Sequence, residues 1–299
     1  MADDGPVSEQ LRFSKGHGTE NDFILVPDPD GRLHLSAERV RRLADRRAGI
    51  GADGVIRVVR SAAAPEVADQ AAEAEWFMDY RNADGSLAEM CGNGVRVFVR
   101  YLVEAGLVNG SSAFRVATRN GPKDVRVEGD TIAVDLGSWR VVGGEAALAE
   151  GGDAHVRVHG LPGPMAALSL DLGNPHSVVL LPGEADLAAA DLTRPPAVSP
   201  EPPDGTNVEL VVPLSPGHLT MRVHERGVGE TRSCGTGAAA AALAARAWSL
   251  AAGGSGSDEI PDVWRVDVPG GTVRVTALSG DRVELAGPAV IVADGVTNL

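Results

Sequence analysis

Cysteine is scarce in this 299-residue sequence, which contains only Cys91 and Cys234. Two thiols are too few for a disulfide framework, and no Cys-x-x-Cys redox or zinc motif is present. Apolar runs are short; none reaches the roughly 18 residues that a membrane-spanning helix needs. The opening MADDGPVSEQ has neither a basic region nor an apolar one, so no secretory signal is read there. Basic residues are also in deficit, at 27 Lys and Arg against 41 Asp and Glu, for a formal net charge of −14. A surface this acidic repels phosphate backbones and argues against nucleic acid as a partner. These absences together predict a soluble cytoplasmic enzyme with reduced thiols and no membrane association; the charge says little about a small zwitterionic substrate, because a pocket can differ in sign from the surface around it.

What remains is an ordinary globular composition, 43% hydrophobic and 23% charged, long enough for two cores. Phe23 to Val26, Val55 to Val59 and Trp76 to Tyr80 read as strands, and Ser36 to Arg47 as a helix capped by Ser36. Ser61 to Glu75 is Ala-rich and acidic and reads as a surface excursion. Val95, Phe98, Val99 and Leu102 fall on one face of a helix running to Glu104. In the second half, Ser169 to Leu172 and Ser177 to Leu181 are strand-like. Ala238 to Leu250 is an Ala-rich helix followed by a connector, Gly253 to Ser257. The strand Ala289 to Val292 is expected to return to the first domain.

The two cysteines share a local motif. Cys91-Gly92-Asn93-Gly94 opens one predicted helix, and Cys234-Gly235-Thr236-Gly237 opens another roughly half the chain later. Each is preceded by an asparagine beside a strand, Asn21 and Asn174. This echo predicts two domains of similar topology that face each other across a cleft. A thiol at a helix start sits among backbone N–H groups without intrahelical partners, at the positive end of the macrodipole. That setting favours thiolate over a thiol whose ordinary pKa is about 8.5. The same N–H groups can hold a carboxylate. One thiolate and one thiol, on opposite faces of a carbon, suit proton removal and return without redox chemistry. The bland reading is that free cysteine is small core filler. The shared motif and its polar, glycine-rich flanks count against it.

Two other signals carry less. Gly49-x-Gly51-x-x-Gly54 matches a dinucleotide fingerprint, but a predicted helix precedes it and a strand follows, the reverse of what that fingerprint requires. His155 and His159 lie in an alternating, strand-like run without a cysteine nearby, which reads as surface histidine rather than a metal site.

The chain resembles diaminopimelate epimerases in Lys15-Gly16-His17-Gly18-Thr19-Glu20-Asn21-Asp22-Phe23, Gly49-Ile50-Gly51-Ala52-Asp53-Gly54 and Asn82-Ala83-Asp84-Gly85-Ser86. It does so again in both cysteine motifs, Gly173-Asn174-Pro175-His176, Thr206-Asn207, Glu225-Arg226-Gly227 and Gly229-Glu230-Thr231. The resemblance implies an α/β (α+β type) fold: two pseudo-symmetric domains, each a mostly antiparallel sheet around a central helix. The expected domains are residues 1–134 with 286–299, carrying Cys91, and residues 135–285, carrying Cys234. It also implies a homodimer needing neither pyridoxal phosphate nor metal, which converts LL- to meso-2,6-diaminopimelate in lysine and cell-wall precursor synthesis. By resemblance Cys91 is the proton donor and Cys234 the acceptor for the LL substrate, with His176 and Glu225 adjusting the thiols. Asn21, Asn82, Asn174, Asn207, Glu225 and Arg226 match substrate-binding positions, and the backbones of Gly92-Asn93 and Gly235-Thr236 match carboxylate nests.

Singly, several of these residues have plainer readings. Asn82 suits a turn, Asn174 precedes a proline, and Glu225-Arg226 suits a solvated pair. A small-molecule binding protein, a thiol protein with a regulatory disulfide and a proline or hydroxyproline racemase are the alternatives. Two departures stand out: Gly54 where many relatives carry glutamine, and Thr19-Glu20 where a glycine-containing version is commoner.

Overall fold

The computed structural model describes residues 10–253 and 260–299. Most of the predicted Gly253 to Ser257 connector therefore lies outside the described residues. By its internal contacts the chain divides into two compact units. One holds the residues up to Gly18, Asp22–Ile132 and Ala289–Leu299; the other holds Thr19–Asn21 and Ala133–Pro288. No helix among the described residues is long and apolar enough to cross a membrane.

In the first unit, five strands are ordered Val290–Thr297, Leu11–Gly18, Asn21–Pro27, Gly54–Arg60 and Trp76–Asn82. Phe23, Ile24, Leu25 and Val26 are all wholly buried, as a four-residue apolar run in a central strand should be. Helix α1 spans Ala37–Ala44; Ser36 Oγ accepts from the Arg39 N–H at 3.2 Å, so the predicted cap is made. Helix α2 spans Gly92–Glu104 and packs on the strands Leu11–Gly18 and Val290–Thr297. Its Val95, Phe98, Val99 and Leu102 are fully buried, each stabilising by roughly 1.5–3 kcal/mol. The 61–75 segment is less superficial than its composition suggests. It forms two short 3-10 turns, Ser61–Ala63 and Pro65–Gln70, and Ala64, Val67 and Ala74 pack with Phe77 and Ala117.

The second unit is built on one large sheet. Its strands run in the order Ala197–Ser199, Ala154–Arg157, Pro164–Asp171, Pro175–Leu180, Asn207–Ser215, His218–Glu225, Val263–Val268, Gly271–Leu278, Arg282–Pro288 and Thr131–Ser138. Two neighbouring pairs are parallel, Pro175–Leu180 with Asn207–Ser215 and His218–Glu225 with Val263–Val268. Short helices α3 (Gly144–Glu150) and α4 (Glu184–Ala189) lie in the connections. Helix α5, Gly235–Ala251, contacts strands from both halves of this sheet. Its Ala238 to Ala245 run is buried without interruption, so this stretch has no solvent stripe and sits at the centre of the unit, while the last residues, Ser249 to Ala251, are exposed.

Candidate active site

Both helices begin three residues before their apolar periodicity, at the cysteine motifs. Cys91 is the N-cap of α2, in extended backbone, and its Sγ accepts from the Gly94 N–H at 3.4 Å. Cys234 is the N-cap of α5, and its Sγ accepts from the Gly237 N–H at 3.3 Å. A sulfur therefore takes the place usually held by a Ser or Asp oxygen, and the remaining N–H groups of each first turn are the raw material of an anion site.

Near Cys91 lies Arg96, the largest wholly buried side chain among the described residues, with Nη1 3.5 Å from the Gly92 carbonyl. Burial pushes its guanidinium down to about 10, and the charge on Cys91 pulls the other way, so a buried cation lies within electrostatic reach of that thiol. Asn82 pairs across the sheet with Gly54, and its Nδ2 donates to Ser86 Oγ at 3.0 Å. The Gly49 to Gly54 segment is held by charge. Lys15 and Arg46 both pair with Asp22, and Arg46 also reaches Asp53 at 2.7 Å. Burial pushes the Asp22 carboxyl up, but the bonds from Arg46 and Lys15 prevail and hold it far below the ordinary carboxylate range. The Asp53 carbonyl then accepts from the Ala83 N–H, which anchors the turn after Asn82.

Around Cys234 the second unit gathers most of the remaining sequence-predicted residues. His176 and Asn207 are register partners on adjacent parallel strands. Asn174 Nδ2 donates to Thr236 Oγ1 at 3.3 Å, and Thr236 Oγ1 lies 3.6 Å from Cys234 Sγ. Asn207 is engaged at both ends of its amide: Nδ2 donates to the Pro175 carbonyl and Oδ1 accepts from the Arg226 N–H. It thus braces the Glu225-Arg226 corner. Arg226 is exposed, with Nη1 on the Asp204 carbonyl at 2.8 Å, and Glu225 accepts from Thr231 Oγ1. Burial pushes the Cys234 thiol well up, and the charges of Glu225 and Glu209 add to this; bonds from Thr236 and Gly237 oppose it.

A family model described as diaminopimelate epimerase matches residues 13–142 and 168–292. The chain belongs to the diaminopimelate epimerase family. Its relatives include the diaminopimelate epimerase of Streptomyces coelicolor, 52% identical over 97% of this chain and 96% of that one. The one from Thermobifida fusca is 51% identical over 97% and 98% of the two chains. Among solved structures, a PhzF-family phenazine biosynthesis protein from Bacillus anthracis aligns with TM-score 0.64 at 16% identity, over 97% of this chain and 99% of that one. A hydroxyproline epimerase from Agrobacterium vitis aligns with TM-score 0.60 at 14% identity, over 96% and 91%. The likeness to these structures establishes the shared fold, and the closer relatives make the protein an epimerase of the isomerase class.

The two segments noted as departures, Thr19-Glu20 and Gly54, have distinct local settings. Thr19 and Glu20 both have positive φ, 50° and 63°, where glycine fits without strain. Here the turn is fastened by side chains instead: Thr19 Oγ1 lies 2.6 Å from Ser233 Oγ, next to Cys234, and Glu20 pairs with Arg232. At Gly54, a Cβ would lie 2.5 Å from the Tyr80 ring and 2.7 Å from the Arg81 carbonyl. The Tyr80 side chain, stacked edge-on against Phe23, fills the space a larger residue would need. A larger residue there, as in Gly54→Gln, is therefore expected to destabilise the protein by about 2 kcal/mol or more. Equilibrium urea denaturation checks this, and an unshifted midpoint would contradict it.

Two residues of the site escaped sequence reasoning, Arg96 and Glu209. Glu209 sits wholly buried in the strand Asn207–Ser215 with Oε1 2.7 Å from His176 Nδ1. A lone carboxylate amid Val208, Leu210 and Val211 was the available signal.

Proposed function

We propose that the protein interconverts LL- and meso-2,6-diaminopimelate by a two-base mechanism in which Cys91 and Cys234 serve opposite faces of one α-carbon, without pyridoxal phosphate or metal. The reaction belongs to lysine and peptidoglycan precursor synthesis. The observation that carries this reading is the matched pair of cysteine N-caps on α2 and α5, each flanked by glycine.

For the LL substrate, the Cys234 thiolate removes the α-proton and the Cys91 thiol delivers one to the other face. The roles exchange in reverse. As the proton leaves, the substrate carboxylate gains enolate charge. Backbone N–H groups of Gly92-Asn93 and Gly235-Thr236 are the donors for that charge, preorganised at helix N-termini. Asn21, Asn82 and Asn174 supply further polar contacts. Glu225 suits a substrate ammonium and Arg226 a substrate carboxylate, which fits a molecule with an amino-acid group at each end.

The position of Glu225 also bears on timing. Without substrate its charge is one of the causes holding the Cys234 proton on. An ammonium paired with Glu225 neutralises that charge and makes thiolate easier to form when substrate is present. Incubation of LL-diaminopimelate with reduced protein in D2O tests reaction type and substrate together. Mass spectrometry is expected to find one solvent deuterium at the epimerised α-carbon; no incorporation by folded, reduced protein would defeat the assignment.

A further inference from the structure

We propose that Glu209 is a positioning residue for Cys234. Acting through His176, Asn174 and Thr236, it sets the direction of a hydrogen-bond relay that ends with the Thr236 hydroxyl donating to the cysteine sulfur. The inference rests on the reading of Cys234 as an acid–base group and adds a residue to it.

The links are continuous. Glu209 Oε1 lies 2.7 Å from His176 Nδ1, and His176 Nε2 lies 3.1 Å from Asn174 Oδ1. Asn174 Nδ2 lies 3.3 Å from Thr236 Oγ1, which lies 3.6 Å from Cys234 Sγ. With the Asn174 oxygen facing the ring, it can only accept, and His176 then carries a proton on Nε2. At the other ring nitrogen, either an N–H donates to a carboxylate or a carboxylic O–H donates to a bare nitrogen. Both arrangements are net neutral, and both leave Nε2–H pointing at Asn174. With its oxygen so engaged, Asn174 turns its NH2 to Thr236. Thr236 Oγ1 accepts that bond, and its single proton is left for the sulfur.

The opposite direction has a specific cost. If the histidine held only its Nδ1 proton, Asn174 would flip to donate to Nε2, and Thr236 would donate to Asn174 instead of Cys234. Glu209 would then be an uncompensated carboxylate in a wholly buried site, where its Oε2 has no hydrogen-bond partner among the described residues. Burial pushes the Glu209 carboxyl up, in line with the neutral pair. The relay also lies against the helix: a Cβ on Gly237 would be 2.7 Å from Glu209 Oε1 and 3.2 Å from Cys234 Sγ. Glycine at that position is what lets the buried carboxylate and the sulfur share the first turn of α5.

The test uses thiol reactivity without substrate, so it stands or falls apart from the epimerase assignment. With Cys91→Ala, Cys234 is the sole thiol, and its iodoacetamide alkylation rate at fixed pH reports the thiolate fraction. Thr236→Val is expected to slow alkylation about tenfold, the effect of one hydrogen bond to a charged acceptor. Glu209→Leu is expected to slow it by less, because loss of the relay is partly offset by loss of a charge that holds the Cys234 proton on. Thr236→Ser keeps the hydroxyl and Glu209→Gln can donate to Nδ1, so both are expected to retain most of the rate. The combination Glu209→Leu with Thr236→Val should be no slower than Thr236→Val alone, because both break one chain. If Glu209→Leu does not fold, Asn174→Leu enters the same cycle. Additive losses, or an unchanged rate in folded Thr236→Val protein, would overturn the relay.

Discussion

Replacing either Cys91 or Cys234 with alanine is expected to abolish epimerisation, by at least about a thousandfold, while leaving the fold nearly intact. A positioned acid or base typically contributes about 10²–10⁴-fold, and in a two-base mechanism no neighbouring group can serve the vacated face. The structural role of each sulfur is smaller. It accepts one N–H bond at a helix start, from Gly94 or Gly237, and loss of such a cap costs about 1 kcal/mol. Turnover followed by NMR, paired with thermal denaturation of the same samples, separates the two effects. Substantial turnover by either variant would refute the two-thiol mechanism. Loss of activity with a collapsed melting transition would instead make the cysteine structural.

The central feature, a cysteine at the start of each of two helices, was legible because Cys-Gly-x-Gly combines chemistry with helix punctuation. The first turns themselves were not. Gly92-Asn93-Gly94 and Gly235-Thr236-Gly237 contain no apolar residue, so periodicity begins only at Val95 and Ala238 while the hydrogen-bonded helices begin at the glycines. The 61–75 segment misled for the opposite reason: its acid-rich composition hid Ala64, Val67 and Ala74, whose burial depends on Phe77 and Ala117 elsewhere in the chain. Gly54 stands out in sequence only as a departure from the resemblance; in structure it is a steric requirement, because Tyr80 meets it only across the strand pair. Glu209 is the same kind of case. Its partner His176 lies on a neighbouring parallel strand, and nothing local announces that pairing.

Asp79→Ala is expected to be the most damaging substitution outside the cysteine motifs, costing about 3–5 kcal/mol. The carboxylate is wholly buried and shared among three arginines: Arg57 at 2.7 Å, Arg81 at 3.5 Å and Arg119. Removing it leaves partly buried cations without their common counter-charge. The damage should reach the site, because Arg119 Nη1 also donates to the Tyr80 and Ala88 carbonyls, tying the strand that ends at Asn82 to the connection leading into Cys91. Burial pushes the Asp79 carboxyl up, but the bond from Arg119 and the charges of Arg81, Arg119 and Arg57 outweigh it and hold it below the ordinary value. A depressed folded-state value means that the stabilisation is complete above the unfolded aspartate pKa of about 3.9 and is lost as pH falls below it. Urea denaturation of wild type and Asp79→Asn should therefore differ by a constant amount from neutral pH down to about 5. The two should then converge on further acidification. A gap that stayed constant through pH 3 would mean that the arginines hold the strand by packing rather than by charge.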